Sequence, residues 1–191
     1  MRFFSILKPG IIFGNIVTVT GGFFLGFQHH LNPWLLLITW LGMSLVIGSG
    51  CVINNFIDRD IDKLMERTKN RVLVLGLMSN QMALLYALGL GILGFAILLF
   101  GTNGLTTLVS FIGFFFYVVV YSLLLKRKST WSTIVGSVAG AVPPVVGYCA
   151  VTNQFDIGAV LLFLILFFWQ IPHFYAIAIY RLNDYKAASI P

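Results

Sequence analysis

Long apolar runs alternate with short polar breaks along this chain, and the runs are of similar size. They cover approximately residues 11–28, 34–56, 80–100, 104–125, 131–151 and 157–181. A helix needs roughly 20 mostly apolar residues to cross a bilayer, and each run is about that long. Inside hydrocarbon no water is available to satisfy backbone groups, so segments of this kind must be helical. The pattern predicts an all-α fold: a polytopic membrane helical bundle of six transmembrane helices, forming one domain over residues 1–191. Composition agrees, with 59% hydrophobic residues, 9% charged residues and a mean hydropathy of +0.94. That balance excludes an ordinary soluble domain.

Charge fixes the expected orientation. All twelve Lys and Arg residues fall on one side of the six-span map. Arg2 and Lys8 precede the first span; Arg59, Lys63, Arg67, Lys69 and Arg71 lie between the second and third. Lys126, Arg127 and Lys128 separate the fourth and fifth, and Arg181 and Lys186 follow the sixth. The opposite connections, around His29-His30, Thr102-Asn103 and Thr152 to Asp156, carry no cation. Such a split places both termini in the cytoplasm by the positive-inside rule. The net charge of +6 then reports topology and anionic lipid, with no nucleic acid as a partner. Pro9-Gly10 opens a full-length span with no small-residue cleavage pattern after it, so the N-terminus does not read as a cleaved signal peptide. Cys51 and Cys149 map to opposite ends of their spans, too far apart for a disulfide, and His29 and His30 read as surface residues.

The polar breaks are where chemistry concentrates. Asn54-Asn55-Phe56-Ile57-Asp58-Arg59-Asp60-Ile61-Asp62 ends the second span and holds three of the six acidic residues. Carboxylates near hydrocarbon cost about 2.5–3.5 kcal/mol at a helix centre and mark functional sites. If the helix continues, Asn54, Asn55, Asp58 and Asp62 share an arc of roughly 100°, with Asp60 opposite. Asn54, Asp58 and Asp62 then form an oxygen ladder of the type that holds a hard divalent cation such as Mg²⁺. Arg67, Lys69 and Arg71 follow closely, so a cation-bound diphosphate fits this stretch. A solvated loop laced with ordinary ion pairs is the plainer alternative.

Two further groups stand out. Tyr117, Tyr121, Lys126 and Arg127 gather at the end of the fourth span, where the cations either cap a phosphate cavity or only anchor the helix. In the sixth span His173, Ile177, Tyr180 and Asp184 share a helical face, expected to point into the protein, with Asn183 beside them. His173 could be a hydrogen-bonded structural residue, a proton relay or a haem ligand. Ser132, Gly136 and Gly140 recur every four residues, a packing pattern, and Pro143-Pro144 is expected to bend the fifth span.

The block Asn54-Asn55-x-x-Asp58-x-x-x-Asp62 resembles the first aspartate-rich motif of the UbiA-type intramembrane prenyltransferases. Lys8 to Asn15, Asn54 to Arg71, Gly140 to Tyr148, Trp169 to Phe174 and Asn183 to Ala188 are similar to the haem-directed branch of that family, across essentially the whole chain. The resemblance implies a bacterial inner-membrane enzyme that moves a farnesyl group from farnesyl diphosphate to a vinyl group of haem B. Haem B is then substrate, Mg²⁺ the cofactor, and haem-copper terminal oxidase assembly the downstream partner. It implies Asn54, Asp58 and Asp62 as metal ligands and Asp58, Asp62, Asp184 and Lys126 as catalytic. Asn55, Arg67, Lys69, Arg71, Tyr117, Tyr121, Arg127, His173, Tyr180 and Asn183 are implied as substrate-binding. Where the wider family carries a second aspartate pair, Asp184 here is followed by Ala188, a feature of the haem-directed members. The family's bundle has about nine spans against the six read here, which would leave an apolar cavity open, so the chain is expected to be C-terminally truncated, to assemble with a partner, or to have lost activity. A quinone precursor as acceptor, or a non-catalytic haem- or partner-binding role, are the competing readings.

Overall fold

A computed structural model describes residues 2–27 and 31–191, with the side chains of Arg2 and Phe3 left aside. His29 and His30, expected at the surface, lie outside the described residues. The elements in chain order are α1 (Arg2–Ser5), α2 (Pro9–Gly26), α3 (Pro33–Ile57), α4 (Arg59–Asp62), α5 (Asn80–Gly101) and α6 (Gly104–Phe115). A π-helical segment, Phe116–Leu125, continues α6; α7 (Ser132–Thr152), α8 (Ile157–Tyr180) and α9 (Leu182–Ala187) follow. Among the described residues six helical rods, counting α6 with its π extension as one, are long and apolar enough to cross a membrane. Their ends lie within two residues of the limits expected from hydropathy.

Local chemistry explains where the rods start. Asn32 caps α3 by accepting from Leu35 N at 3.1 Å, with Pro33 in the first turn. Ser79 caps α5, Asn103 caps α6 by accepting from Thr106 N at 2.8 Å, and Asp156 caps α8 through Gly158 N and Ala159 N. Asn103 also donates to the Cys149 carbonyl at 2.9 Å, joining the start of α6 to the end of α7. The helix α2 differs, because Lys8 precedes it in a left-handed conformation (φ 56°, ψ 67°) with no side-chain cap.

Small residues set the packing. A side chain at Gly22 would collide with the Pro144 carbonyl, and one at Gly147 with the Val19 carbonyl, so α2 and α7 touch backbone to backbone. Pro143 and Pro144 lie inside one continuous helix at that contact. Gly42 and Gly94 bring α3 against α5 in the same way. Gly140 faces Gln170 of α8, and Gly136 faces the rings of Tyr121 and Phe174. The main core joins Val19, Met43, Val46, Leu98, Val109, Val142, Val145 and Val146 from five rods. Cys51 and Cys149 are both free and buried.

Burial is uneven. In α7, 61% of the spanning window is buried, against 6% in α8. The helix α8 packs mainly on α7, and most of its circumference meets no other described element.

Candidate active site

The polar stretch after α3 is not one straight helix. Asp58 sits at φ −88°, ψ 0° between α3 and α4, which differs from the expected unbroken helix. The hydrogen-bond spacing survives the break: Asp58 N donates to Asn54 O at 2.9 Å and Asp62 N to Asp58 O at 2.8 Å. Asn54, Asn55, Asp58 and Asp62 are all buried, and Asp58 is 0% exposed. Buried carboxylates need cations or donors around them, and here the partners come from three other segments.

Asp58 Oδ2 is ion-paired to the Lys126 ammonium and accepts from Asn54 Nδ2 at 2.8 Å. Asp62 Oδ2 accepts from Arg71 Nη1 at 2.5 Å. The Oδ1 atoms of both carboxylates are buried without a hydrogen-bond partner. Arg127 Nη2 stands 3.8 Å from Asp58 Oδ1, close enough to feel its charge but not to bond it. Two hard oxygens, each on a carboxylate whose other oxygen is already held, are thus left bare in one charged neighbourhood.

Asn54 is fully engaged. Its Oδ1 accepts from Lys8 Nζ at 2.6 Å, while Nδ2 donates to Asp58 and, at 3.2 Å, to Ser122 Oγ. Burial and the nearby Arg71 guanidinium push the Lys8 ammonium down to about 8. Asn55 turns elsewhere: Nδ2 donates to the Ile6 and Cys51 carbonyls, both at 3.0 Å, tying α3 to the segment before α2.

The π segment supplies the wall facing this group. Its wider winding shows in the bond from Lys126 N to Tyr121 O at 2.9 Å, five residues back. Ser122 Oγ likewise donates to Tyr117 O at 2.8 Å. Such windings are rare and recur at functional sites. Tyr117 and Tyr121 stack with centroids 6.0 Å apart and planes 14° off parallel. Tyr117 packs on Gly50 and Tyr121 on Gly136, where an added Cβ would stand 3.0 and 3.3 Å from the respective ring and crowd it.

Arg127 grips the outer side of the break. Its Nη1 and Nη2 donate to the two Asp60 oxygens at 2.7 and 2.6 Å, and Nη2 donates to the Ile57 carbonyl at 2.5 Å. This fork holds the Asp60 carboxyl down at about 2, well below the usual carboxylate range. Asp60 is thus turned away from the buried pair.

Not every expected site residue joins the group. Arg67 and Lys69 are exposed, and Lys69 pairs with Glu66 at 2.6 Å. Asp184 accepts from Glu66 N at 2.8 Å, while Ala188 packs with Ile61 and Met65, so α9 docks on the turn beyond α4. The α8 stripe corrects the expectation of an inward face. His173 is exposed and stacks on Trp169 at 4.9 Å; Tyr180 is 79% exposed beneath Arg181, and Asn183 is exposed. The physical reason is that α8 has a packing partner on one side only. Lys8, Ser122 and Thr68, which donates to the Asp62 carbonyl at 3.0 Å, escaped the sequence reading as site residues. A lysine placed directly before the proline of a span was the available signal for the first.

Six apolar rods with a buried carboxylate pair, faced by cations at one end, make this a membrane-embedded helical bundle with an internal charged site. The chain belongs to the UbiA prenyltransferase family, whose family model matches residues 15–191. It is 59% identical over 189 residues to a protoheme IX farnesyltransferase of Chromohalobacter salexigens, covering 99% of this chain and 64% of that protein. A protoheme IX farnesyltransferase of Yersinia pestis is 56% identical over 190 residues, again covering 64% of the relative. The chain therefore spans just under two thirds of the length of these curated relatives. Among solved structures, a UbiA homolog from Archaeoglobus fulgidus bound to GPP and Mg²⁺ superposes with a TM-score of 0.81 at 19% identity, over 100% of this chain and 67% of that one. A digeranylgeranylglyceryl phosphate synthase structure gives 0.82 at 17% identity, over 99% and 66%. These two likenesses establish the fold.

Proposed function

We propose that this chain carries the diphosphate-binding part of an enzyme that transfers a farnesyl group from farnesyl diphosphate to a vinyl group of haem B, forming haem O and diphosphate. The observation that carries the reading is the pair of bare Oδ1 atoms on Asp58 and Asp62, each on a carboxylate whose other oxygen is held by Lys126 or Arg71. The relatives' name supplies the acceptor, and family membership supplies the reaction class.

These oxygens suit Mg²⁺, which favours carboxylate and phosphate oxygens. Asp58 and Asp62 would hold it; Asn54 would join them only by giving up Lys8. When bound, the ion neutralises charge that develops on the departing diphosphate. The reaction breaks the allylic C–O bond, and its electron pair leaves on the diphosphate oxygen. Lys126 and Arg71, fixed in a water-poor site, stabilise that charge as it forms. The stacked faces of Tyr117 and Tyr121 shelter the allylic cation. The terminal vinyl carbon attacks it, forming the C–C bond, and water adds to the neighbouring carbon and loses a proton. Arg127 keeps Asp60 out of this group and fixes the turn that aims Asp58. His173 and Trp169 form an apolar-aromatic surface on which a porphyrin plane can stack.

The one-sided distribution of cations supports an inner-membrane location with both termini cytoplasmic. Haem O so formed is the kind of product that haem-copper oxidase assembly consumes. Membranes containing the chain, incubated with haem B, farnesyl diphosphate and Mg²⁺, should yield the mass of haem O. Product from a phenolic acceptor but none from haem would redirect the assignment to quinone-type substrates. No product from either acceptor would remove the catalytic reading.

A further inference from the structure

Lys126, Arg71 and Lys8 gather about the two buried carboxylates, and Arg127, already paired with Asp60, reaches to 3.8 Å of Asp58. Lys126 pairs with Asp58 and Arg71 with Asp62, but among the described residues no carboxylate is in ion-pair contact with Lys8. Its ammonium rests on a neutral amide oxygen, Asn54 Oδ1, at 2.6 Å, while the Arg71 and Lys126 charges repel it. With the Arg127–Asp60 pair set aside, two carboxylates against three cations leave a formal surplus of one positive charge, and Lys8, which feels Asp58 at longer range, is the member without an ion pair. A half-buried cation held only by an amide bears much of its desolvation cost without an ionic partner.

The backbone at Lys8 points the same way. A non-glycine residue at φ 56° is uncommon, and Pro9 further disfavours helical conformations for the residue before it. Strain of this kind persists where surrounding structure requires it, and it gathers at functional sites. The strained residue is the one that sends its side chain across 46 positions of sequence to Asn54.

We propose that Lys8 is a diphosphate-binding residue held in reserve: its ammonium rests on Asn54 in this state and turns to the phosphate oxygens when a diphosphate enters beside Asp58 and Asp62. The turn supplies the missing counter-charge to Lys8 and releases the Asn54 carbonyl. Lys8 acts here as a fixed positive charge, so Arg can substitute for it and an uncharged side chain of similar length cannot. The inference rests on the diphosphate reading of the site, and its test separates the two.

Purified full chain in detergent, with Mg²⁺ present, is titrated with inorganic diphosphate, and binding is followed by calorimetry. Lys8→Met is expected to weaken binding at least tenfold, and Lys8→Arg to restore it to within about threefold of wild type. Thermal unfolding of each variant checks that the bundle remains intact. If Lys8→Met unfolds, Lys8→Gln takes its place in the same titration, with the same loss expected. Wild-type binding that survives unchanged in the folded uncharged variant overturns the role of Lys8 and leaves the site assignment standing. A wild type that binds no diphosphate overturns both.

Discussion

The end of α3 and the exposed face of α8 both carry residues that invite a functional reading, yet the fold treats them in opposite ways. Asp58 and Asp62 are 0% and 1% exposed, and their partners come from the turn after α4 and from the end of the π segment. On α8, Tyr180 is 79% exposed, and His173 is exposed against the rings of its helix neighbours Trp169 and Phe174. The contrast follows from what a bilayer can and cannot solvate. Lipid covers an aromatic stripe at little cost, whereas an unpaired carboxylate near hydrocarbon must find a cation within the protein. Among the described residues the buried carboxylates therefore find their cations within the bundle, while the aromatic stripe of α8 is left exposed.

Five substitutions break or sharpen that contrast. Asp58→Ala removes a bare oxygen and strands Lys126; haem O should fall below detection by mass while the chain still inserts in membranes. Asp58→Asn, which preserves shape, should be equally inactive, and a fully active variant would remove the metal-site assignment. Lys126→Met should lower kcat by about 10²–10³-fold, the range seen when one donor to a developing oxyanion is removed. His173→Ala should act only on the other half, raising the KM for haem about tenfold with diphosphate binding unchanged; an equal loss of diphosphate affinity would show the two regions are not separable. The smallest effect is expected from Asn103→Ala, which removes the α6 cap and its tie to α7. It should destabilise the bundle by about 1 kcal/mol in thermal unfolding and leave turnover alone.

The rods were legible in the sequence because hydropathy and backbone satisfaction select the same segments in a membrane. Residues 80–100 became Asn80–Gly101 and 131–151 became Ser132–Thr152. The four-residue spacing of Asn54, Asp58 and Asp62 was also readable, since it survives a local break, while their burial was not, because it depends on partners far along the chain. What escaped depends on distant partners. Nothing near Asp58 announces the kink at its own φ and ψ; Arg127, gripping Ile57 and Asp60 from 67 or more positions away, holds it. Lys8 read as a topology marker because its contact with Asn54 exists only after α2 and α3 are side by side. The outward face of α8 was misjudged because a helical wheel identifies a stripe but not its neighbour.

The winding of Phe116–Leu125 decides which way the chain faces when it leaves the membrane. Were the same ten residues wound as an ordinary α-helix, at about 100° per residue in place of the wider i→i+5 winding, everything beyond them would emerge rotated from its present direction. Lys126 would then swing off Asp58, and the stranded carboxylate would have to take up a proton or draw in water.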